Sequence, residues 1–238
     1  MDRITNEINH GKYISENGEE IWNWSSPAGI IRWKRRINLF ISEIGSNNSI
    51  LEIGCGTGLF TKEIQNTTNN ITAIDISPDL VEIAKTRVLN KNVKFIVENA
   101  YKTSFQNNSF DYIIGSSVLH HLEIDEALKE FNRILKPGGK ILFTEPNMLN
   151  PQIAIQKNIP FIKKWAGDSP DETAFIRFKL VKQIKKTGFR NAKITPFDFL
   201  HPSIPSFILK PAIHITTLFE RIPLIKEISG SLIILAQK

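Results

Sequence analysis

Short apolar runs alternate with amphipathic segments along most of this chain. Five of the runs are typical of buried strands, and between them apolar residues recur at the three- and four-residue intervals of helices. These runs cover residues 49–53, 70–75, 93–97, 110–117 and 140–145. Strands that alternate with helices form a parallel sheet with helices on both faces. Two later runs, at 192–199 and 231–237, predict a sixth and a seventh strand.

Capping residues predict where two of the helices begin. Ser26 stands before Pro27, and large apolar side chains follow at helical intervals. Serine is a preferred N-cap, and proline is a preferred first helical residue. Ser77 and Pro78 repeat the same signal. We therefore predict, after an irregular opening, a leading helix from Pro27 and another helix from Pro78.

The second half of the chain contains two segments that interrupt the alternation. A proline-broken segment from Pro146 to Asp168 ends in "SPDE", where Ser169 and Glu172 form a capping-box pattern that predicts a helix. About thirty residues with mostly helical apolar spacing separate strands six and seven. We expect three units: N-terminal cap helices at 1–45, a core at 46–198 plus 230–238, and a helical insertion at 199–229 over the ligand site.

Composition narrows the class of protein. The chain has 238 residues, 41% of them hydrophobic, which suits one sizeable α/β domain with an appendage. Its one cysteine, Cys55, excludes an internal disulfide and a cysteine-based zinc cluster. The opening residues lack a signal-peptide pattern, and no apolar run reaches the length of a membrane span. We expect a cytoplasmic protein with no metal.

The net charge of +6 raises the question of an anionic partner such as RNA or a membrane surface. The lysines are spread along the chain, and the densest run, Lys179 to Lys186, has helical spacing beside apolar residues. A solvated helix face explains that run. Charge alone therefore gives no reason to expect a nucleic-acid partner.

Three glycines at alternate positions, Gly54, Gly56 and Gly58, follow the first strand in "EIGCGTGLF". An ordinary turn needs one glycine, so the glycine turn, as we call residues 54–58, indicates a backbone that closely approaches a ligand. A dinucleotide fingerprint, G-x-G-x-x-G, would place its third glycine at Leu59. The spacing therefore argues against a nicotinamide dinucleotide. Backbone N–H groups in such a turn can also bind a carboxylate.

Four stretches of the chain resemble those of class I S-adenosylmethionine-dependent methyltransferases. They are "LEIGCGTG", "AIDIS", "FQNNSFDYIIGSSVLHHL" and "LKPGGKILFTEPN", and they occur in the family's order and spacing between residues 50 and 147. The resemblance implies an enzyme with an α/β, Rossmann-like fold: a seven-stranded, mostly parallel sheet with helices on both faces and a helical lid. It implies S-adenosyl-L-methionine as the cofactor, and it leaves the acceptor open.

The resemblance also implies roles at the end of the first and fourth strands. The glycine turn would hold the methionine half of the cofactor, and Glu52 would support its ammonium group. Cys55 lies within that turn as a small filler without chemistry of its own. Ser116, at the end of the fourth strand, would face the sulfonium region.

The adenosine half is expected at the ends of strands two and three. Asp75 matches the carboxylate that accepts both ribose hydroxyls, and Ile76 would pack on the adenine ring. Asn99 stands where the family often has an aspartate that accepts from the adenine amino group. Its carbonyl can accept the same hydrogen bond without the charge. Ala100 would offer a backbone N–H to the ring.

Three residues are candidates for a catalytic base. Methyl transfer is an in-line displacement from a good leaving group, so the enzyme aligns the acceptor, excludes water and, for oxygen or carbon acceptors, manages a proton. The candidates are His121 in "LHHL", His201 and Glu145. The alternatives are that the histidines only shape the pocket and that Glu145 bonds to the turn that follows it.

The acceptor is expected to be a small molecule, apolar or lipid-like, methylated on oxygen or carbon. The insertion at 199–229 would line an apolar pocket, with Lys210, Arg221 and Lys226 toward an anionic membrane surface. Packing onto the sheet edge as extra core is the alternative for this segment. Two other functions stay open: an RNA methyltransferase, although no dedicated binding domain or Asn-Pro-Pro-type motif is evident, and a non-catalytic S-adenosylmethionine-binding module.

Overall fold

The computed structural model describes residues 2–18 and 23–238, and its centre is a seven-stranded sheet. The strands are β1 (Ser49–Ile53), β2 (Asn70–Asp75), β3 (Val93–Val97), β4 (Phe110–Ser116), β5 (Leu135–Pro146), β6 (Arg190–Phe197) and β7 (Ser231–Gln237). Their order in the sheet is β3-β2-β1-β4-β5-β7-β6. Strand β7 is antiparallel to β5 and β6, and the other neighbours are parallel. The predicted sheet is confirmed.

Helices cover both faces of the sheet. Those of the described residues are α1 (Arg3–Asn17), α2 (Pro27–Ile44), α3 (Leu59–Ile64), α4 (Pro78–Arg87), α5 (Ile124–Ile134), α6 (Pro151–Asn158), α7 (Pro160–Trp165), α8 (Arg177–Lys186) and α9 (Leu209–Phe219). The Ser26 side chain accepts a hydrogen bond from the Gly29 N–H at 3.0 Å, and Ser77 caps α4 in the same way. Both predicted helix starts are confirmed.

Aromatic side chains fill the core on each face of the sheet. On one face, Phe131 of α5 stacks on Phe143 of β5 with ring centroids 5.8 Å apart. On the other face, Phe40 of α2 meets Phe60 of α3 edge to face at 4.7 Å. A fully buried side chain of this size stabilises the fold by about 1.5–3 kcal/mol. This packing fixes the carboxyl ends of the parallel strands relative to one another.

The irregular opening predicted before α2 is wrong, because residues 3–17 form α1. The Asp2 side chain caps α1 by accepting a hydrogen bond from the Thr5 N–H at 2.8 Å. Gly11 lets α1 lie directly against the start of α4, since a Cβ there would come within 2.6 Å of the Ser77 Cβ. The predicted N-terminal unit at 1–45 also includes Met1 and residues 19–22, which lie outside the described residues.

The helix predicted to start at the Ser169 capping box begins later, at Arg177. The Ser169 N–H does donate to the Glu172 carboxylate at 2.9 Å, as in a capping box. However, the Phe175 N–H donates to the carbonyl of Pro146 at 3.1 Å. That bond ties the segment to the end of β5, so residues 169–176 form turns and a bridge in place of a helical turn.

The insertion between β6 and β7 is helical, with α9 flanked by two short 3₁₀ turns. It is attached to α2 by ion pairs of Arg32 with Asp198 and of Arg35 with Glu220, the latter at 2.7 Å. Among the described residues, no helix combines the length and the apolar character needed to cross a bilayer.

Candidate active site

A cavity of about 300 Å³ opens at the carboxyl ends of β1 to β4. The order of the strands reverses between β1 and β4, which is where ligands bind in sheets of this kind. Helix α1 covers the cavity and contributes Glu7 and His10 to its lining. None of the described residues 199–229 lines it. Helix α1 therefore covers part of the cavity, whereas the insertion expected over the site does not contribute to its lining.

The glycine turn lines the cavity between β1 and α3. Its three glycines have φ values of +65°, +53° and +80°, a region that residues with a side chain adopt at a cost. A Cβ on Gly54 would overlap the Val118 side chain, whereas a Cβ on Gly56 would meet no atom within 4 Å. Gly56 therefore presents bare backbone to the cavity. Cys55 is buried in the turn, and burial raises the pKa of its thiol.

Asp75 joins the end of β2 to the glycine turn. Its carboxylate accepts hydrogen bonds from the N–H groups of Gly56 and Ser77, each at 2.9 Å. Burial raises the pKa of Asp75, while these two hydrogen bonds act in the opposite direction. A carboxylate has about four lone-pair sites, so acceptor capacity remains for a ligand diol. The side chain lines the cavity, where such a diol would lie.

Glu52 lies below the glycine turn and is only 1% exposed. It is not among the residues that line the cavity. Its Oε2 has no hydrogen-bond partner within the described part of the chain. Burial, together with the charge of Asp75, raises the pKa of Glu52 to about 8. Because Glu52 is enclosed and does not line the cavity, its contact with a ligand ammonium group stays a prediction.

The other residues predicted to contact the cofactor also line the cavity, namely Ile76, Asn99, Ala100 and Ser116. The Asn99 Oδ1 accepts a hydrogen bond from the Tyr101 N–H at 2.9 Å, which fixes its side chain. One lone pair of that oxygen stays available to a ligand donor.

Glu145 does not face the cavity, so its prediction as a base is corrected. It is 1% exposed, and its carboxylate accepts from the N–H groups of Val118 and Leu119 at 2.9 and 2.8 Å. Its Oε2 lies 2.6 Å from Nδ1 of His120, whose Nε2 lies 3.3 Å from Glu172. Burial disfavours a charged His120, but the two carboxylates outweigh it and raise the pKa of His120 to about 9.

His121 is the predicted base that lines the cavity. Its Nδ1 lies 2.9 Å from Oε2 of Glu7 on α1. The other Glu7 oxygen accepts a hydrogen bond from the Ser169 hydroxyl at 2.7 Å. Although burial acts against it, contact with His121 and Ser169 lowers the pKa of Glu7. His121 thus lies beside an ionised carboxylate at the wall of the cavity.

His201 lies outside the cavity, so its prediction as a base is also corrected. The ring is exposed, and its Nδ1 accepts from the Ser203 N–H at 3.2 Å. Its Nε2 lies 2.9 Å from the side-chain amide of Gln152. Strand β6 is at the edge of the sheet, several strands from the glycine turn, which explains the distance.

Two acidic side chains of the site were missed by the sequence reasoning, Glu7 and Glu172, because they lie on segments whose structure was predicted wrongly. Glu172 forms part of a group with His120 and His121 in which the ligand atoms lie within 4.8 Å of one another. Such a group has donor types suited to a divalent cation. Here Lys157 also forms an ion pair with Glu172, so the negative charge already has a cationic partner.

Comparison with known proteins shows which family this chain is similar to. A family model described as a methyltransferase domain matches residues 51–143, which run from β1 and the glycine turn into β5. The chain contains a methyltransferase domain of the class I, S-adenosylmethionine-dependent type. Its cofactor, when bound, supplies a methyl group on an electrophilic sulfonium. The open backbone at Gly56 and the Asp75 carboxylate fit that group's backbone contact and its diol.

Relatives of the methyltransferase include a demethylmenaquinone methyltransferase from Staphylococcus aureus. The two are 27% identical over 190 residues, which cover 69% of this chain and 77% of the relative. The N-methyltransferase NodS from Bradyrhizobium japonicum, solved with S-adenosylhomocysteine, shares the fold with a TM-score of 0.65, 17% identity and 98% coverage of both chains.

A second solved structure is phosphoethanolamine N-methyltransferase 2 from Haemonchus contortus. It matches the methyltransferase with a TM-score of 0.62 and 18% identity over 86% of this chain. The chain spans about half of that enzyme's length, with 52% covered. These structural matches establish the fold, and they carry no information on the acceptor.

Proposed function

We propose that the methyltransferase methylates oxygen or carbon of a small, apolar or lipid-like acceptor that it takes from a membrane. The observation that carries this proposal is an exposed apolar surface. Of the twenty large apolar side chains that the described residues expose, twelve lie on two segments: four on residues 155–165 and eight on residues 207–228. We call these two segments the docking face. Apolar area of this extent on a protein surface marks an interaction site.

The docking face lies at the same end of the strands as the cavity. Residues 155–165 follow β5, and residues 207–228 connect β6 to β7. Strands β5 and β6 are both antiparallel to β7, so their carboxyl ends lie at the end of the sheet where β1 to β4 also finish. An acceptor leaving a bilayer at this face would reach the cavity without crossing the molecule.

The charges on the docking face favour an anionic surface. Its exposed cations are Lys164, Lys210 and Arg221. The acidic residues there, Glu220 and Glu227, are engaged in ion pairs with Arg35 and Arg177 at 2.7 and 2.6 Å. Basic residues beside exposed aromatic rings are typical of proteins that lie on anionic membranes, and Trp is enriched at that interface.

His121 is the base that we assign to this reaction. It lines the cavity beside Glu7, whereas His120 is held between two carboxylates and is protonated at neutral pH. Histidine is the most common general base in enzymes, so His121 is placed to accept the proton that an oxygen or carbon acceptor loses. A lipid quinone, the kind of acceptor named for the Staphylococcus aureus relative, fits this chemistry.

Vesicle sedimentation and a transfer screen test the proposal. The protein should bind phosphatidylglycerol-containing vesicles more tightly than phosphatidylcholine vesicles. It should also transfer label from S-adenosylmethionine to a lipid extract. Trp165→Ser with Phe161→Ser, which removes two rings exposed by 83% and 77%, should weaken vesicle binding by about tenfold or more.

Leu89→Ser is the matched control. Leu89 is 87% exposed, but it precedes β3 and therefore lies at the amino end of the strands, opposite the docking face. Vesicle binding should not change in this variant. Label transferred to RNA or to polar metabolites alone, with no vesicle binding, would contradict the apolar acceptor. Absence of transfer to every fraction, with the cofactor bound, would favour the non-catalytic module.

A further inference from the structure

Three aromatic side chains form a continuous wall on one side of the cavity. They are Trp24, Trp33 and Phe60, all of which line the cavity, and we call them the aromatic wall. The ring centroids of Trp24 and Trp33 lie 5.2 Å apart, and Trp33 meets Phe60 edge to face at 6.1 Å. Two aromatic rings attract each other by more than the burial of their area accounts for. The aromatic wall therefore favours a ligand that itself carries a ring.

Two arginines of α2 hold the Trp24 ring. The guanidinium carbons of Arg32 and Arg36 lie 5.6 and 5.3 Å from the centroid of the ring. The two arginines are one helical turn apart, so they lie on the same face of α2. Cations placed over an indole ring are attracted to its π electrons. Trp24 is thus fixed against α2, and it presents a rigid surface to the cavity.

Trp24 lies on the side of the cavity where the methyl group is expected. Arg36, which contacts Trp24, donates a hydrogen bond to the hydroxyl of Ser116 at 2.9 Å, and Ser116 is predicted to face the sulfonium. Asp75 and Asn99, the predicted partners of the ribose and the adenine, lie at the ends of β2 and β3, on the other side of β1. An acceptor must lie next to the methyl carbon to react with it. This requirement places the acceptor near Trp24.

The segment that carries Trp24 also contacts the chain that leads to the docking face. The Ser26 hydroxyl donates a hydrogen bond to the carbonyl of Pro202 at 2.6 Å, and the Asn23 side chain donates to the same oxygen at 3.4 Å. Pro202 follows β6 and precedes the part of the docking face that begins at residue 207. Trp24 therefore lies between the docking face and the cavity.

We propose that Trp24 stacks on a planar aromatic ring of the acceptor and holds that ring beside the methyl group. This assignment rests on the proposed function, since it requires an apolar acceptor that enters from the docking face. It narrows the acceptor to molecules whose methylated atom belongs to an aromatic ring or is attached to one. Offset stacking is a favoured arrangement of two aromatic rings.

Calorimetry with two alcohols tests the proposal on protein saturated with S-adenosylhomocysteine, which has no methyl group to transfer. The alcohols are naphthol and decahydronaphthol, each with its hydroxyl on the carbon next to the ring fusion. They share one carbon skeleton, and only naphthol is aromatic. The native protein should bind naphthol more tightly by about two- to tenfold, the usual gain of an aromatic pair over its buried area. In Trp24→Leu this preference should disappear, whereas Trp24→Phe, which keeps a ring, should retain part of it.

Phe178→Leu is the control, because it removes a ring that also has an arginine contact, 4.2 Å from Arg177, but does not line the cavity. Its preference for naphthol should equal that of the native protein. Trp24→Met covers the case in which Trp24→Leu does not fold, and it should also show no preference.

A preference that survives in Trp24→Leu or Trp24→Met, or that is absent in the native protein, would overturn the proposal. If vesicle binding and transfer to the lipid extract were intact beside that result, the acceptor would be apolar without an aromatic ring on Trp24. Those two measurements therefore separate a failure of this assignment from a failure of the proposed function.

Discussion

Gly54→Ala probes how tightly the glycine turn is held against the loop after β4. Gly54 has φ of +65°, and alanine in that conformation costs about 1–2 kcal/mol. A Cβ at Gly54 would also overlap Cγ2 of Val118 and lie 3.0 Å from its Cβ. Forcing an extra carbon into a packed site costs about 1–3 kcal/mol. We therefore expect Gly54→Ala to lower the free energy of unfolding by about 2–5 kcal/mol.

Gly45→Ala separates the two contributions. Gly45 follows α2 with φ of +68°, and a Cβ there meets no atom within 4 Å, so this change carries the conformational cost alone. Urea unfolding of both variants should show Gly54→Ala to be the more destabilised by about 1–3 kcal/mol. Adding Val118→Ala should recover part of that difference as a favourable coupling energy.

Equal destabilisation by Gly54→Ala and Gly45→Ala would refute the close packing of the turn on Val118. Additive effects of Val118→Ala and Gly54→Ala on the free energy of unfolding would refute this packing as well. Calorimetry on the folded fraction of Gly54→Ala should also show weaker S-adenosylmethionine binding, because relief of the overlap moves the turn away from its bound position.

Three further predictions concern the charged and polar groups of the site. Asp75→Ala should cost about 1–3 kcal/mol of S-adenosylmethionine affinity in calorimetry. Asn99→Asp should hold or tighten that affinity, and Asn99→Leu should weaken it. Unchanged affinity in Asp75→Ala would refute the diol contact, and unchanged affinity in Asn99→Leu would refute the adenine contact. His120, with a pKa raised from 6.5 to about 9, contributes stability that is complete below pH 6.5 and is lost as the pH rises through 9. Melting curves of native protein should therefore decline over that window and those of His120→Gln should not. The pKa of Glu52 is raised from 4.5 to about 8, so the free energy of unfolding falls as the pH rises between those values. Glu52→Gln should therefore stabilise the cofactor-free protein at pH 9 and weaken cofactor binding. A lower melting temperature of this variant at pH 9 would refute the reasoning.

The sheet and the helix starts were predictable because local rules decide them. Runs of buried β-strand residues alternate with helical spacing, and Ser26 with Pro27 and Ser77 with Pro78 satisfy helix ends without tertiary help. The Ser169 capping box failed for a tertiary reason. The bond of Phe175 to Pro146 and the ion pair of Glu172 with Lys157 hold that segment in another conformation.

Parts of the candidate site were not predictable from the sequence because they depend on distant contacts. Helix α1 has few apolar residues, and its place over the cavity depends on Gly11 packing against Ser77. Arg36 is one of the buried residues of α2. From the sequence alone, an arginine in a helix is interpreted as part of the solvent-exposed face. Glu145 ends a strand beside the cavity, yet the backbone N–H groups of Val118 and Leu119 draw its carboxylate inward.

The position of β7 has a consequence for the order in which the chain folds. β7 is the last strand in sequence, yet it lies between β5 and β6 and supplies the pairing of β6 within the sheet. Among the pairs formed by β1 to β5, only β1 with β4 joins strands that are not consecutive in sequence, so this part of the sheet can pair without β7. We expect a late step in which β6 and the docking face attach only when β7 arrives. Until then the edge of β5 is open to other chains, and aggregation during refolding should originate there.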